Sequence, residues 1–314
     1  MYPNPPVAMP VPAPPSAPAP PAGPARAGGW AALWQLVRFP NLVIMALCLA
    51  LVRAYLLGAA RPLTALDGGR FALLALAALC VAAAGYIIND YYDVKIDAIN
   101  RPERLVVGRV VNRRHAMLAH LLLSGLGVLV AGLLAPLLGL VNLGSALLLW
   151  GYSARFKRLA LVGNLSIATL TAALVLLPEL QLRTGLPLVW GYALAAFLLT
   201  MVREIVKDAE DMRGDAEHDC RTLPIVWGVA RTKWVTGFFL LCLVVFVAGA
   251  AGQAGRSGHW LFGGWLLLTV LGPLLLLGRL LARADRRRDF ARLSAWCKWI
   301  MLAGVVSMVL TKPG

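Results

Sequence analysis

From Trp30 onward the chain alternates long apolar runs with short polar ones, and the runs are long enough for helices that cross a hydrocarbon layer about 30 Å thick. The pattern predicts nine spans, at 39–58, 71–89, 116–134, 137–152, 161–179, 188–202, 234–252, 259–282 and 291–311. The fourth and sixth are short, and only a tight turn at Ala135-Pro136 separates the third from the fourth. Residues 1–29 break the pattern. They hold eleven of the twenty prolines and a single charge, Arg26, and they lack the basic start and apolar stretch of a signal peptide. They read as a disordered, polyproline-like, dispensable tail ahead of one helical domain over 30–314. The expected fold class is an all-α membrane protein with nine transmembrane helices in a bundle.

Composition agrees and removes some functions. With 60% apolar and only 14% charged residues, the mean hydropathy of +0.73 excludes an ordinary soluble enzyme, where charged residues approach a quarter. The formal charge of +15 would point to nucleic acid in a soluble protein, but in a membrane protein Lys and Arg set orientation. With the N-terminus in the cytoplasm and nine spans, 23 of the 30 Lys and Arg residues fall on the cytoplasmic side, six fall outside, and Lys298 lies within the last span. That asymmetry accounts for the charge without a nucleic-acid partner. The expectation is a multi-pass protein of the bacterial inner membrane, with its C-terminus outside. The five cysteines form no C-x-x-C pair and the four histidines do not cluster, so neither a disulfide framework nor a zinc site is indicated.

Eleven of the fifteen carboxylates sit in two groups, both cytoplasmic on this topology. Asp90, Asp93, Asp97 and Glu103 follow the second span; Glu204, Asp208, Glu210, Asp211, Asp215, Glu217 and Asp219 follow the sixth. Within each group three aspartates recur at i, i+3 and i+7, namely Asp90, Asp93 and Asp97, then Asp208, Asp211 and Asp215. On a helix these fall within an arc of about 60°, so each trio shares one face, with Asn89 beside the first. Like charges at that spacing repel by a few tenths of a kcal/mol per pair, which calls for positive charge between them. Carboxylate oxygens suit Mg2+, which takes one or two carboxylates and completes its shell with water and substrate phosphate. Two facing clusters would hold more than one Mg2+ and so bind a diphosphate. Solvated helix ends balanced by nearby Arg and Lys are the alternative. The repeated spacing, in matching positions after spans two and six, favours the metal reading and points to two related halves facing each other across a shared cavity.

Several cations have positions suited to phosphate. Lys157 leaves the fourth span, within Tyr152-Ser153-Ala154-Arg155-Phe156-Lys157-Arg158; Arg38 begins the first; Arg203 and Lys207 precede the second acidic trio. Each has an alternative as a snorkelling interfacial anchor. Lipid headgroups already account for Arg158 and for the run from Arg286 to Arg288.

Asn89-Asp90-Tyr91-Tyr92-Asp93-Val94-Lys95-Ile96-Asp97 resembles the N-D-x-x-D-x-x-x-D motif of the UbiA superfamily of intramembrane prenyltransferases. Lys207-Asp208-Ala209-Glu210-Asp211-Met212-Arg213-Gly214-Asp215, followed by Thr222-Leu223-Pro224, resembles that family's second aspartate motif. The resemblance implies a nine-helix bundle around a central cavity near the cytoplasmic face, where Mg2+ and the aspartates hold an isoprenyl diphosphate. It implies Mg2+ ligands at Asp90, Asp93, Asp97, Asp208, Asp211 and Asp215. Asn89, Asp93, Asp211 and Lys157 become candidate catalytic residues; Arg38, Asn89, Lys157, Arg203 and Lys207 become candidate substrate-binding residues.

Asn100-Arg101-Pro102-Glu103-Arg104-Leu105-Val106-Val107-Gly108 differs from the R-T-x-x-R-P pattern of members that prenylate 4-hydroxybenzoate or haem. Together with Arg38-Phe39-Pro40-Asn41 and Arg203-Glu204-Ile205-Val206-Lys207-Asp208, it is similar to the digeranylgeranylglyceryl-phosphate synthase type. The implied reaction is Mg2+-dependent transfer of a geranylgeranyl group from its diphosphate to geranylgeranylglyceryl phosphate or a related lipid. Prenylation of an aromatic quinone precursor such as 4-hydroxybenzoate is the alternative acceptor chemistry. A membrane cation or solute transporter is the alternative of a different class, weakened because only Glu179, near a span end, lies inside an apolar run. A CDP-alcohol phosphotransferase expects a compact D-G-x-x-A-R type motif, which is absent. Oligomeric state, prenyl length and any part played by Glu204 or Glu210 stay open at this point.

Overall fold

The computed structural model describes residues 29–311, apart from 59, 61, 63 and 101–104, and leaves the side chains of 29, 30 and 95–100 undescribed. The proline-rich tail, together with Arg101, Glu103, Arg104 and the side chain of Asp97, therefore lies outside the described residues. Among the described residues the chain is helical, with two isolated bridges, Val107 to Val111 and Leu159 to Arg221.

The helices are α1 (Gly29–Leu36), α2 (Phe39–Leu51), α3 (Ala65–Asn100), α4 (Arg113–Leu134), α5 (Pro136–Ala154) and α6 (Val162–Leu182). They continue as α7 (Pro187–Glu217), α8 (Leu223–Arg256), α9 (Trp260–Trp265), α10 (Gly272–Arg283) and α11 (Arg287–Ser307). A π-helical segment, Val52–Leu56, extends α2, and another, Leu266–Leu271, joins α9 to α10 in one span. Pro273 follows the second π segment; it lacks an N–H and its ring crowds the preceding turn, which favours a widened register there. Nine helices among the described residues are long and apolar enough to cross a membrane, matching the nine predicted spans in number and order.

The spans differ from expectation at their ends. α3 and α7 continue well past their apolar runs, to Asn100 and Glu217, carrying both acidic trios as helix. α8 begins at Leu223, eleven residues before the predicted 234, behind Pro224. Its first turn is set off by a kink at Gly228, whose φ of 76° is open to glycine without a steric penalty. The Thr232 hydroxyl donates to the Gly228 carbonyl at 2.9 Å and covers the group exposed by the kink. α1 also had no counterpart among the predicted elements; Ala32 and Leu36 bury its inner face against Ile87, Val106 and Ala116.

Packing divides the bundle in two. α3, α4 and α5 contact one another, α7 packs with α6, α8 and α11, and the groups meet where α6 touches α2, α3 and α5 and where α3 touches α7. The outer surface is apolar: Leu133, Leu261 and Leu268 are 79%, 81% and 79% exposed. Lipid is as apolar as leucine, so helix association rests on close van der Waals approach through small residues and on internal polar contacts. Gly127 of α4 faces the Ala77 carbonyl of α3, and Gly139 of α5 faces the backbone of Gly132 on α4. Some buried polar groups pair between helices: His120 meets the Ala84 carbonyl at 3.1 Å, and Tyr192 and Ser307 join α7 to the last span at 2.7 Å.

A Cβ at Gly127 would lie 2.7 Å from the Ala77 carbonyl oxygen and from Val81 Cγ2. Gly127→Val is therefore expected to force α3 and α4 apart and to lower stability by about 1–3 kcal/mol, read as a reduced midpoint of thermal unfolding in detergent.

Candidate active site at the acidic helix ends

The α3 and α7 trios are helical as the spacing requires, and the structure brings their helix ends to the same end of the bundle. Four links establish this. Lys157, in the 3-10 turn Phe156–Arg158 after α5, forms an ion pair with Asp93 Oδ1. Asn164, in the first turn of α6, donates through Nδ2 to Asp208 Oδ2 at 2.8 Å. The Arg221 N–H, just past α7, donates to the Arg158 carbonyl at 2.8 Å. Asp93 and Asp215, one from each trio, lie within electrostatic range of one another.

Each carboxylate is held differently. Asp93 has both oxygens engaged, Oδ1 by Lys157 and Oδ2 by Asn89 Nδ2 at 2.9 Å. Asp90 Oδ1 accepts from Arg38 at 3.0 Å, while the guanidinium lies 5.0 Å over the Tyr86 ring. Arg38 sits between α1 and α2 with φ of 51°, a left-handed conformation that a side chain seldom adopts. Asp208 takes a neutral donor, Asn164, with Lys207 and Glu204 nearby. Asp215 is flanked by Asp211 and Lys207. Arg203 is drawn to Glu204 on its own helix and lies within range of Cys297 on α11.

Several residues that the sequence did not single out belong here. Tyr152 lies within the fields of Glu204, Asp208, Asp93 and Arg38, between the two acidic groups. Asn164 holds Asp208, and Gly163 lets α6 approach the lysine turn, since a Cβ there would lie 2.9 Å from Lys157 Cα and 3.0 Å from the Phe156 carbonyl oxygen. An asparagine opening an apolar span was the available signal. Cys220 is buried in the loop after α7, and burial together with Asp215 pushes its thiol up, against Arg158 and Lys157. Glu179, the one acid within an apolar run, accepts from Thr184 Oγ1 and from the Gly185 N–H at 2.6 Å. It closes the turn after α6, a structural use that leaves it unsuited to line an ion path.

The chemistry of this donor set is that of a hard cation, all oxygen with no thiolate or imidazole. Among the described residues no three His, Cys, Asp or Glu side chains converge tightly enough to hold an ion on their own. Sparse carboxylates beside several cations are nevertheless what Mg2+ requires when phosphate oxygens and water complete its shell. The residues present fit the ion on those terms.

Residues 45–302 match the UbiA prenyltransferase family. The chain is 38% identical over 159 residues to the digeranylgeranylglyceryl phosphate synthase of Methanospirillum hungatei, covering 50% of this chain and 57% of that protein. It is 39% identical over 184 residues to the synthase of the same name from Methanothermobacter thermautotrophicus, covering 57% and 65%. The alignment with the synthase of that name from Natronomonas pharaonis is longer, 34% over 241 residues, with 76% and 83% covered. The first two matches thus span less than two thirds of those relatives' length. Among solved structures, one of digeranylgeranylglyceryl phosphate synthase superposes with a TM-score of 0.69 at 22% identity, covering 90% of this chain and 99% of that one. A UbiA homologue from Archaeoglobus fulgidus bound to DMAPP and Mg2+ gives 0.62 at 17% identity, over 88% and 99%.

Gly163 generates a direct test of how Lys157 is placed. Gly163→Ala is expected to displace the lysine turn, whose clashing atoms are backbone and cannot rotate away, with a loss of about 1–3 kcal/mol in thermal unfolding. Gly144, with nothing within 4 Å of its Cβ position, is the control site for the same substitution.

Proposed function

The chain belongs to the UbiA prenyltransferase family, and on that premise we propose that it transfers an isoprenyl group, geranylgeranyl, from its diphosphate to geranylgeranylglyceryl phosphate or a closely related lipid, in a reaction that depends on Mg2+. The observation that carries the reading is the meeting of two aspartate-bearing helix ends around Lys157. The acceptor rests on relatives at 33–39% identity that carry the digeranylgeranylglyceryl phosphate synthase name. The Mg2+ requirement draws support from the Archaeoglobus fulgidus homologue with DMAPP and Mg2+ and from the all-oxygen donor set.

Asp90, Asp93 and Asp97 on α3 and Asp208, Asp211 and Asp215 on α7 would hold the metal. Bound Mg2+ would supply charge neutralisation on the diphosphate oxygens as the allylic C–O bond breaks. Arg38, Lys157 and Lys207 stand where they add positive charge to the departing diphosphate, and Asn89 fixes the Asp93 carboxylate toward Lys157. Arg203, engaged by Glu204, has a supporting part, holding charge balance near α11. The allylic cation left behind is attacked by the acceptor's hydroxyl oxygen, whose proton passes to the departing diphosphate. Surrounding apolar helices keep competing water away, and the isoprenoid lies along them toward lipid. The helical part from Trp30 onward works as one prenyltransferase unit.

The protein is an integral, multi-pass membrane protein, and we place it in the bacterial inner membrane with its N-terminus and acidic helix ends cytoplasmic. The support is the split of 23 Lys and Arg residues against six between the two sides. A phosphatase reporter fused after Thr311 should be active and one inserted at Asp219 inactive; the reverse pattern would invert the topology.

Purified protein supplied with geranylgeranyl diphosphate, Mg2+ and a panel of acceptors should yield the mass of the prenylated glyceryl phosphate. Asp93→Ala and Asp211→Ala are each expected to lower that turnover by at least about a hundredfold while leaving membrane insertion intact. Full activity in both variants would remove the site, and a prenylated aromatic as the sole product would reassign the acceptor.

A further inference from the structure

The joint between α1 and α2 has a form that membrane spanning alone does not require. α1 carries no charged residue, and its two sides differ. Ala32 and Leu36 are buried in a cluster that also holds Ile87, Tyr91 and Val94 of α3, an i, i+4, i+7 stripe beside the face that bears Asp90 and Asp93. The other side is open: Leu33 is 45% exposed and Trp34 48%. Only Val37 and Arg38 separate α1 from α2, which begins a membrane span at Phe39. The joint itself is a helix C-terminal turn of the Schellman kind. The Arg38 N–H donates to the Gln35 carbonyl at 3.1 Å, Arg38 has φ of 51°, and the Phe39 ring packs edge to face on Trp34. An apolar contact between the residue after the left-handed position and the third residue from the helix end commonly accompanies this turn. Glycine usually takes the left-handed position; here an arginine takes it, and its guanidinium bonds Asp90 at 3.0 Å. A side chain kept where glycine is favoured points to a use for that side chain.

We propose that α1 is a strap seated in the lipid headgroup layer, and that its Trp34–Phe39 clasp holds Arg38 over the first acidic motif, with Trp34 and Phe39 as positioning residues for diphosphate binding. The occupant of the open face follows from continuity with the span: an uncharged helix that joins a membrane span within two residues presents Leu33 and Trp34 at the depth where aromatic side chains collect. The clasp closes the turn from outside, while Asp90 and the Tyr86 ring hold the guanidinium from inside. Opening the clasp frees the backbone at Arg38 to leave the left-handed region, and the guanidinium then leaves the motif. The inference deepens the proposed prenyl transfer and rests on the reading of Arg38 as a diphosphate-binding residue.

The seating is tested on the full chain labelled with fluorotryptophan, in nanodiscs of phosphatidylethanolamine and phosphatidylglycerol. The Trp34 fluorine resonance is the one missing from Trp34→Phe, and it should broaden when a lipid with a gadolinium-chelate headgroup is included. A Trp34 resonance untouched by that lipid, because a second copy or another segment of the chain covers it, would overturn the seating. The clasp is tested by binding of geranylgeranyl thiolodiphosphate in the presence of Mg2+. Arg38→Gln should weaken it at least about tenfold, the worth of a hydrogen bond to a charged group. Trp34→Ala should weaken it about two- to tenfold, the worth of an aromatic pair, and Trp34→Phe, which keeps a ring against Phe39, should stay within about twofold of wild type. Phe39→Leu removes the other ring and should match Trp34→Ala. If α1 served stability alone, these variants would lower the midpoint of thermal unfolding and leave the affinity of the folded protein unchanged. Wild-type affinity in folded Trp34→Ala and Phe39→Leu beside a weakened Arg38→Gln would therefore overturn the clasp alone, whereas wild-type affinity in Arg38→Gln would overturn the role given to Arg38 in the reaction and the clasp with it.

Discussion

Everything at this end of the bundle depends on gathering aspartates from two helices where the surroundings are largely protein and lipid. Along one helix the repulsion at i, i+3 and i+4 is a few tenths of a kcal/mol, small enough for α3 and α7 to stay helical through their trios. Across helices the scale is larger. Two like charges about 4 Å apart at an effective dielectric constant near 20 interact by about 4 kcal/mol. The fold meets that with positive charge brought from elsewhere: Arg38 on Asp90, Lys157 on Asp93, and Lys207 beside Asp208 and Asp215. The same cations that balance these carboxylates are the ones proposed to receive a diphosphate.

These partners come from separate parts of the chain, so the site is a tertiary construction. Arg38 arrives from the junction of α1 and α2, at a left-handed backbone position that costs about 1–2 kcal/mol for a residue with a Cβ. Contacts with Asp90 and the Tyr86 ring hold it there. Lys157 arrives from a single 3-10 turn, which is pinned on three sides: Gly151 against the Phe156 ring, Gly163 against the lysine backbone, and the Arg158 carbonyl by the Arg221 N–H. A turn fastened to both the α5–α6 and α7–α8 connections cannot shift without moving both motifs.

Local periodicity encodes what lies along one helix, and that part was legible. The nine spans follow from hydropathy, and the helical course of each aspartate trio from its spacing. Span ends were less legible, because α3 and α7 continue as helix beyond their apolar runs and because α8 opens with a polar turn ahead of the Gly228 kink. Asn164 and Tyr152 escaped notice for another reason. Their importance lies in the register of α5 and α6 against α3 and α7, which no spacing within one helix reports. The ion pair of Arg203 with Glu204, its neighbour in sequence, is likewise a side-chain choice that spacing does not report.

That register is set by close packing, with no solvent to drive it. In lipid, burying leucine against leucine gains little over burying it in acyl chains, so helices settle where small residues let backbones touch. Gly127 on Ala77 fixes α4 against α3, and Gly139 on Gly132 fixes α5 against α4. Through that chain of contacts the height of α5, and so of Lys157 beyond it, is determined relative to Asp93. A lysine's reach forgives an ångström, but the Asn164 to Asp208 bond at 2.8 Å does not, because an amide has one short side chain with which to reach. The apolar bundle is therefore the gauge of the polar site: residues that never meet a substrate decide whether the carboxylates and their partners come within bonding distance.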